Sequence, residues 1–167
     1  MKIQISRNLI EAIVFDFDGV LTDNLVYINQ NGDESVCCSR SDGLAIDALR
    51  KLKIPCHILS TEKNNVVKMR ANKLQIEAIQ GVHDKANEIK KLSDEQNYKL
   101  DKVLYVGNDL NDYEAMKLCG YSVCPSDSHI EIKKIADIVL KSSGGKGVVR
   151  EIVEDVLSIN LIETLYN

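Results

Sequence analysis

The chain has 167 residues, 44% of them hydrophobic and 28% charged, with a formal net charge of -4. So mild a balance excludes a polybasic nucleic-acid or membrane-surface binder, and the length fits one domain, residues 1–167, around one core. No apolar run approaches the roughly 18 residues of a membrane span, and the opening MKIQISRNLIEAIVFDFDG lacks a signal peptide's small-residue cleavage site, so the protein is expected inside the cell.

In chain order, EAIVFDF (11–17) reads as a buried strand. Residues 24–39 break the pattern: LVYIN and ESVCC flank QNGD, and Asn31-Gly32 is a hairpin-turn signal. A β-hairpin flap is expected there, either free-standing or covered by a partner subunit. SDGLAIDALRKLK (41–53) reads as a helix with Leu44, Ala45, Ala48, Leu49 and Leu52 on one face. A strand (54–60), a helix (62–74), a short strand (76–81) and a helix (84–97) follow. Next come a strand (102–109), a helix (110–120) closed by Gly120, a strand (121–125) and a helix (128–136). A short strand (137–141) and a C-terminal tail (142–167) carrying one long helix (147–166) complete the chain. Strands alternating with helices predict an α/β fold, a Rossmann-like parallel sheet with helices on both faces. Cys37, Cys38, Cys56, Cys119 and Cys124 are odd in number and lack C-x-x-C spacing, which predicts packed, reduced thiols. His57, His83 and His129 are scattered and form no ligand set.

Ligands of open parallel sheets bind beyond the carboxyl ends of the strands, so the residues there form a candidate site. They are Asp16 and Asp18, Ser60 and Thr61, Asp84 and Lys85, then Asn108, Asp109 and Asp112. Two carboxylates set as close as Asp16 and Asp18 call for a cation to offset their repulsion, and a cluster of hard oxygen ligands suits Mg²⁺. Asp16, aimed at phosphorus, could act as nucleophile and form an aspartyl-phosphate. Asp18 could then protonate the leaving alkoxide and later deprotonate water. Lys85 would neutralise charge, while Thr61 or Ser60 would hold phosphoryl oxygens. Asp112 reads as a supporting or helix-start acid.

DFDGVLT (16–22), the Ser60-Thr61 strand end, Lys85 and GNDLND (107–112) together resemble the four ordered motifs of the haloacid dehalogenase-like phosphatases, over about residues 10 to 157. The resemblance implies a metal held by Asp16, the backbone carbonyl of Asp18, and Asp109. With no cap domain beyond the hairpin, the chain looks like the capless subfamily, whose tetramers complete each active site with a neighbour's surface. It is particularly similar to 3-deoxy-octulosonate 8-phosphate phosphatases through DGVLTD, SDGLAI (41–46, with Asp42) and GGKGVVREI (144–152, with Lys146). That implies Mg²⁺-dependent removal of phosphate from a sugar-acid phosphate in the cytoplasm, by a homotetramer.

Departures from that pattern bear on the substrate. Octulosonate phosphatases carry Thr-Gly-Arg at the second strand end, where this chain has STEKN (60–64), with Glu62 in place of the arginine. Glu62 could accept hydrogen bonds from a glycerol-like tail, with Arg70 and Lys73 on the following helix as its pairing partners. This arrangement looks like relatives acting on nonulosonate 9-phosphates of the KDN and sialic acid type. That is the favoured substrate, with the octulosonate 8-phosphate as the alternative and a solvated Glu62–Lys73 ion pair as the purely structural reading. Ser41 stands where the relatives carry arginine, with Arg40 adjacent. SSGGKG (142–147) reads either as a flexible loop or as a tail carrying Lys146 to a neighbouring site. A different class also stays open: a non-catalytic module serving as oligomerising or regulatory partner of an acylneuraminate cytidylyltransferase.

Overall fold

The computed structural model describes residues 5–167; the N-terminal reading begins on residues 1–4, which lie outside the described residues. Six strands form one parallel sheet: β1 (Ala12–Phe15), β4 (Cys56–Leu59), β5 (Glu77–Ile79), β6 (Val103–Val106), β7 (Tyr121–Cys124) and β8 (Ile138–Val139). Their order is β5-β4-β1-β6-β7-β8. The chain builds outward from β1 to one edge, then returns to β6 and builds to the other. The β1/β6 boundary is therefore the topological switch point, where such sheets bind ligands.

The strands alternate their side chains between two apolar layers, as a sheet covered on both faces requires. Ile13, Phe15, Ile58, Leu104 and Val106 pack with α1 (Ser41–Lys51), α2 (Asn65–Leu74) and α6 (Val148–Glu151). Val14, Leu59, Val103 and Tyr105 pack with α3 (Lys85–Gln96), α4 (Tyr113–Leu118) and α5 (Ile130–Ile135). No helix among the described residues is long and apolar enough to cross a membrane.

Several local expectations change. On α1, Leu44 is exposed while Ile46 is buried, because the buried stripe runs through Ala45, Ile46, Ala48 and Leu49. α4 ends on an extended Cys119, and Gly120 does not cap it; a Cβ at Gly120 would lie 1.9 Å from the Asp101 carbonyl. The expected final helix is two: α6 runs on as a wider turn through Ile152–Val156, and α7 (Leu161–Tyr166) restarts after Ser158 adopts φ +54°. Asn160 caps the restart by accepting from the Glu163 amide at 3.2 Å.

Between β1 and α1 the only insert is the hairpin, with β2 (Tyr27–Ile28) antiparallel to β3 (Glu34–Ser35). Its turn is longer than a two-residue Asn-Gly turn. The Asn29 amide donates to the Asp33 carbonyl, Gly32 takes the left-handed position, and Asn29 Oδ1 accepts from the Asn31 and Asp33 amides. Leu25, Val26, Tyr27 and Ile28 are all more than half exposed along this flap. All five cysteines are free; Cys56 and Cys124 are packed on strands, but Cys37 is exposed on the hairpin's return. Burial pushes the Cys56 and Cys119 thiols up to about 12, which leaves them un-ionised and inert.

Candidate active site

Asp16 follows the last residue of β1, and its amide still donates to the Val106 carbonyl of β6, so the sheet itself fixes its backbone. Asp16 Oδ1 accepts from the Phe17 amide at 2.7 Å. The chain then turns back sharply through Gly19 at φ +84°, and Thr22 Oγ1 accepts from the amides of Gly19 (3.2 Å) and Asn24 (3.1 Å). This wrap leaves the Asp18 carbonyl and the Asp16 carboxylate facing the same side. A bridge between Thr22 and Cys38 ties the turn to the hairpin's return. The SSGGKG segment packs against the turn and does not swing free: Gly145 N donates to the Val20 carbonyl at 3.0 Å. A Cβ on Gly144 would sit 2.3 Å from the Gly19 carbonyl. Its glycines serve that close approach.

Lys85 opens α3 from a buried position, 2% exposed, and its Nζ lies 2.7 Å from both Asp16 Oδ1 and Asp112 Oδ1. Asp112, fully buried, also accepts from Tyr105 Oη on Oδ1 (3.0 Å) and from the amides of Asn108 (2.9 Å) and Asp109 (3.3 Å) on Oδ2. Asp112 is thus more than a helix-start acid; it closes a reciprocal capping box with Asp109 and anchors Lys85. Burial opposes charge on Lys85, but the two carboxylates outweigh it and hold its pKa above the usual lysine value. Asp16 is pushed up to about 8 by burial and by the Asp112 charge, with Lys85 offsetting only part of this. Asp18, half-buried, is also raised, by burial first and then by the Glu62 charge. The centre carries more negative charge than Lys85 neutralises.

The residues present fit a divalent cation. With the Asn108 side chain turned so that its nitrogen faces the site, that amide donates to Asp16 Oδ2 at 3.2 Å and to the Asp18 carbonyl at 2.9 Å. The two oxygens therefore face a common point, and in the unturned orientation the Asn108 side-chain oxygen meets them there with no donor between, three oxygens that a cation would hold together. Asp109 lines the same cavity. Among the described residues no three His, Cys, Asp or Glu side chains close on a single point, so a cation here would draw on main-chain oxygen, water or substrate as well.

The cavity above this centre has a volume of about 470 Å³. Of the residues singled out in the sequence, Asp16, Asp18, Thr61, Glu62, Asn108 and Asp109 line it, together with Asn24, Val26 and Glu34 from the hairpin segment and with Asn64 and Asn111. Among the described residues no lysine, arginine or histidine lines it. The hairpin is fastened to the rim, since Asn64 Nδ2 donates to Glu34 Oε2 at 3.0 Å.

Other expected substrate contacts stand elsewhere in the chain. Ser60 is 1% exposed, and its hydroxyl accepts from the Glu62 amide at 3.1 Å, so it shapes the loop and does not face the cavity. Asp42 is 1% exposed and accepts from the Arg150 amide at 3.1 Å, joining α1 to α6. Arg70 donates to the Ser39 carbonyl at 2.8 Å and does not pair with Glu62. Lys73 and Lys146 are exposed and outside the cavity. Glu34, Asn64 and Tyr105 had carried no sequence signal. Glu34 depends on the hairpin's fold-back, and Tyr105 looks like an ordinary aromatic of a buried strand.

The profile of the haloacid dehalogenase-like hydrolases matches residues 47–152. The 3-deoxy-D-manno-octulosonate 8-phosphate phosphatase of Escherichia coli strain K12 is 33% identical over 149 residues, 89% of this chain and 79% of that protein. A HAD-family protein from Streptomyces avermitilis superposes with a TM-score of 0.91 at 40% identity, covering 95% of this chain and 97% of that one. The 3-deoxy-D-manno-octulosonate 8-phosphate phosphatase of Moraxella catarrhalis, solved with magnesium, phosphate and KDO, superposes with a TM-score of 0.85 at 27% identity, covering 93% and 87%. With the switch-point carboxylates, the buried lysine and these matches together, the chain belongs to the haloacid dehalogenase-like hydrolases, as a phosphoric monoester hydrolase.

Proposed function

We propose that this hydrolase removes the terminal phosphate of a sugar-acid phosphate through an aspartyl-phosphate on Asp16. The observation that carries this is the division of labour on one buried carboxylate: Oδ1 is held by Lys85 and the Phe17 amide, while Oδ2 faces the cavity side with the Asp18 carbonyl. Asp16 attacks phosphorus, and Lys85 offsets charge on the carboxylate and on the phosphoryl group. Asp18, two residues on and lining the cavity, gives its proton to the leaving alkoxide and then takes one from the water that opens the acyl phosphate. Thr61 at the β4 end holds a phosphoryl oxygen. Asp16, the Asp18 carbonyl and Asp109 hold a divalent cation, taken to be Mg²⁺, which supplies the positive charge this acidic centre lacks.

Five carboxylates line the cavity (Asp16, Asp18, Glu34, Glu62 and Asp109), and among the described residues no basic side chain joins them. A sugar acid would need cations from a second subunit as well as the metal. The exposed run Leu25–Ile28 on the hairpin supports such an assembly, a homotetramer in which Arg70, Lys73 and Lys146 serve a neighbour's site in the cytoplasm. Asp42 would then act through α6, behind that surface.

Two substrates fit. Glu62 at the cavity wall favours a nine-carbon nonulosonate 9-phosphate, whose glycerol-like tail presents hydroxyl donors to it. The names of the similar phosphatases favour the eight-carbon octulosonate 8-phosphate. Phosphate release from KDN 9-phosphate, N-acetylneuraminate 9-phosphate and octulosonate 8-phosphate, each with Mg²⁺ and with EDTA, decides between them. Metal-dependent preference for a nine-carbon substrate supports the role given to Glu62. Preference for the eight-carbon one removes that role and leaves the chemistry. Release from none of the three overturns the sugar-acid assignment.

A further inference from the structure

We propose that Tyr105 is a positioning residue for phosphoryl transfer, its hydroxyl sharing Asp112 Oδ1 with Lys85 and so keeping the lysine on Asp16. The inference rests on the roles proposed above for Asp16 and Lys85. Tyr105 lies on β6 in register with Val14 of β1 and is fully buried. Its neighbours in that layer, Val14, Leu59 and Ile89, show that the space asks only for an apolar group. The phenolic oxygen is the exception, and it meets Asp112 Oδ1 at 3.0 Å, the oxygen that also takes Lys85 at 2.7 Å.

An ionised carboxylate offers about four acceptor sites. Lys85, Tyr105, Asn108 N and Asp109 N fill them. Three of these donors are rigid: two main-chain amides and a hydroxyl carried on a ring locked in the sheet. Lys85 alone is on a flexible stem. Without the hydroxyl, Oδ1 offers all its capacity to the lysine, and the ammonium is drawn from Asp16 Oδ1 toward Asp112. Asp16 then carries a less compensated charge and a looser geometry at the reacting oxygen. Tyr105 does not line the cavity, so substrate binding does not depend on it.

The test is Tyr105→Phe, which removes one oxygen, beside 4-aminophenylalanine at 105, which returns a donor on the same frame. The reference is Lys85→Met, all three assayed as folded full-length protein checked by circular dichroism. For Tyr105→Phe the expected result is a kcat about 10-fold lower, as a small misplacement of a catalytic group produces, with KM and the Mg²⁺ half-saturation unchanged. 4-Aminophenylalanine is expected to recover most of that loss. Wild-type kcat in Tyr105→Phe, a change confined to KM, or a loss that 4-aminophenylalanine does not recover overturns the proposal. Should Tyr105→Phe not fold, 4-fluorophenylalanine, which fills the hydroxyl's volume without donating, takes its place with the same outcomes. If Lys85→Met keeps full activity, the catalytic roles above fail and this inference falls with them. If Lys85→Met is inactive and Tyr105→Phe is not impaired, only the inference fails.

Discussion

Gly19 carries two constraints at once. Its φ of +84° lies where a side chain is strained, and a Cβ built there would sit 2.0 Å from one terminal atom of the Asn108 side-chain amide, whose other terminal atom faces Asp16 and the Asp18 carbonyl. Gly19→Ala therefore has to move either the turn or Asn108. We expect it to lower unfolding free energy by about 1–3 kcal/mol in urea titration and to weaken Mg²⁺-dependent thermal stabilisation. Wild-type values for both would contradict this account of the turn. At this scale much of the centre was readable beforehand: Asp16, Asp18, Thr61, Glu62, Lys85 and Asp109 close strands or open helices, and the alternating pattern fixes those ends. Ser60 and Asp42 misled because a polar residue at a strand or helix end is equally needed to satisfy local amides. Ser60 holds the Glu62 amide and Asp42 the start of α6. Only distances separate the two uses.

Among the elements, β4 joins the active-site end of the sheet to a second polar cluster at its opposite end. His57, 5% exposed, contacts Glu77 of β5 through Nδ1 at 3.1 Å and Tyr98 Oη through Nε2 at 3.2 Å. Burial lowers its pKa from the ordinary 6.5, and the Glu77 carboxylate restores only part of the loss. The unfolded chain therefore binds this proton more readily than the folded one. The resulting stability is present above the unfolded pKa and is lost as pH falls through the lower folded value. Melting temperatures followed from neutral pH downward should fall more steeply for wild type than for His57→Gln; parallel curves would contradict the assignment. Element boundaries were legible where a strand or helix depends on its own apolar pattern, as in β1 and α3. They failed where distant packing decides. The break at Ser158 lies inside an unbroken apolar periodicity, and Leu157, Ile159 and Leu161 are all buried across it. The hairpin turn was set by Asn29, whose side chain holds two amides, and not by Asn31-Gly32 alone.

For the molecule as a whole, a net charge of -4 spread over 167 residues conceals where the acid is concentrated. Folding gathers five carboxylates at the switch point of one sheet and buries a single lysine beneath them. Such a centre is short of positive charge until a cation and a phosphate ester enter, which links the fold to the reaction: the strands set the carboxylates, α3 delivers Lys85, and the tail's glycines brace the turn. The central claim is that Asp16 takes the phosphoryl group. It is tested most directly by a single turnover with Mg²⁺ on whichever sugar-acid phosphate is hydrolysed, quenched in acid and mapped by mass spectrometry. A phosphoryl group on Asp16 in wild type, absent together with turnover in Asp16→Asn, is the predicted result. Phosphate carried on another residue, or undiminished turnover by Asp16→Asn, would contradict it.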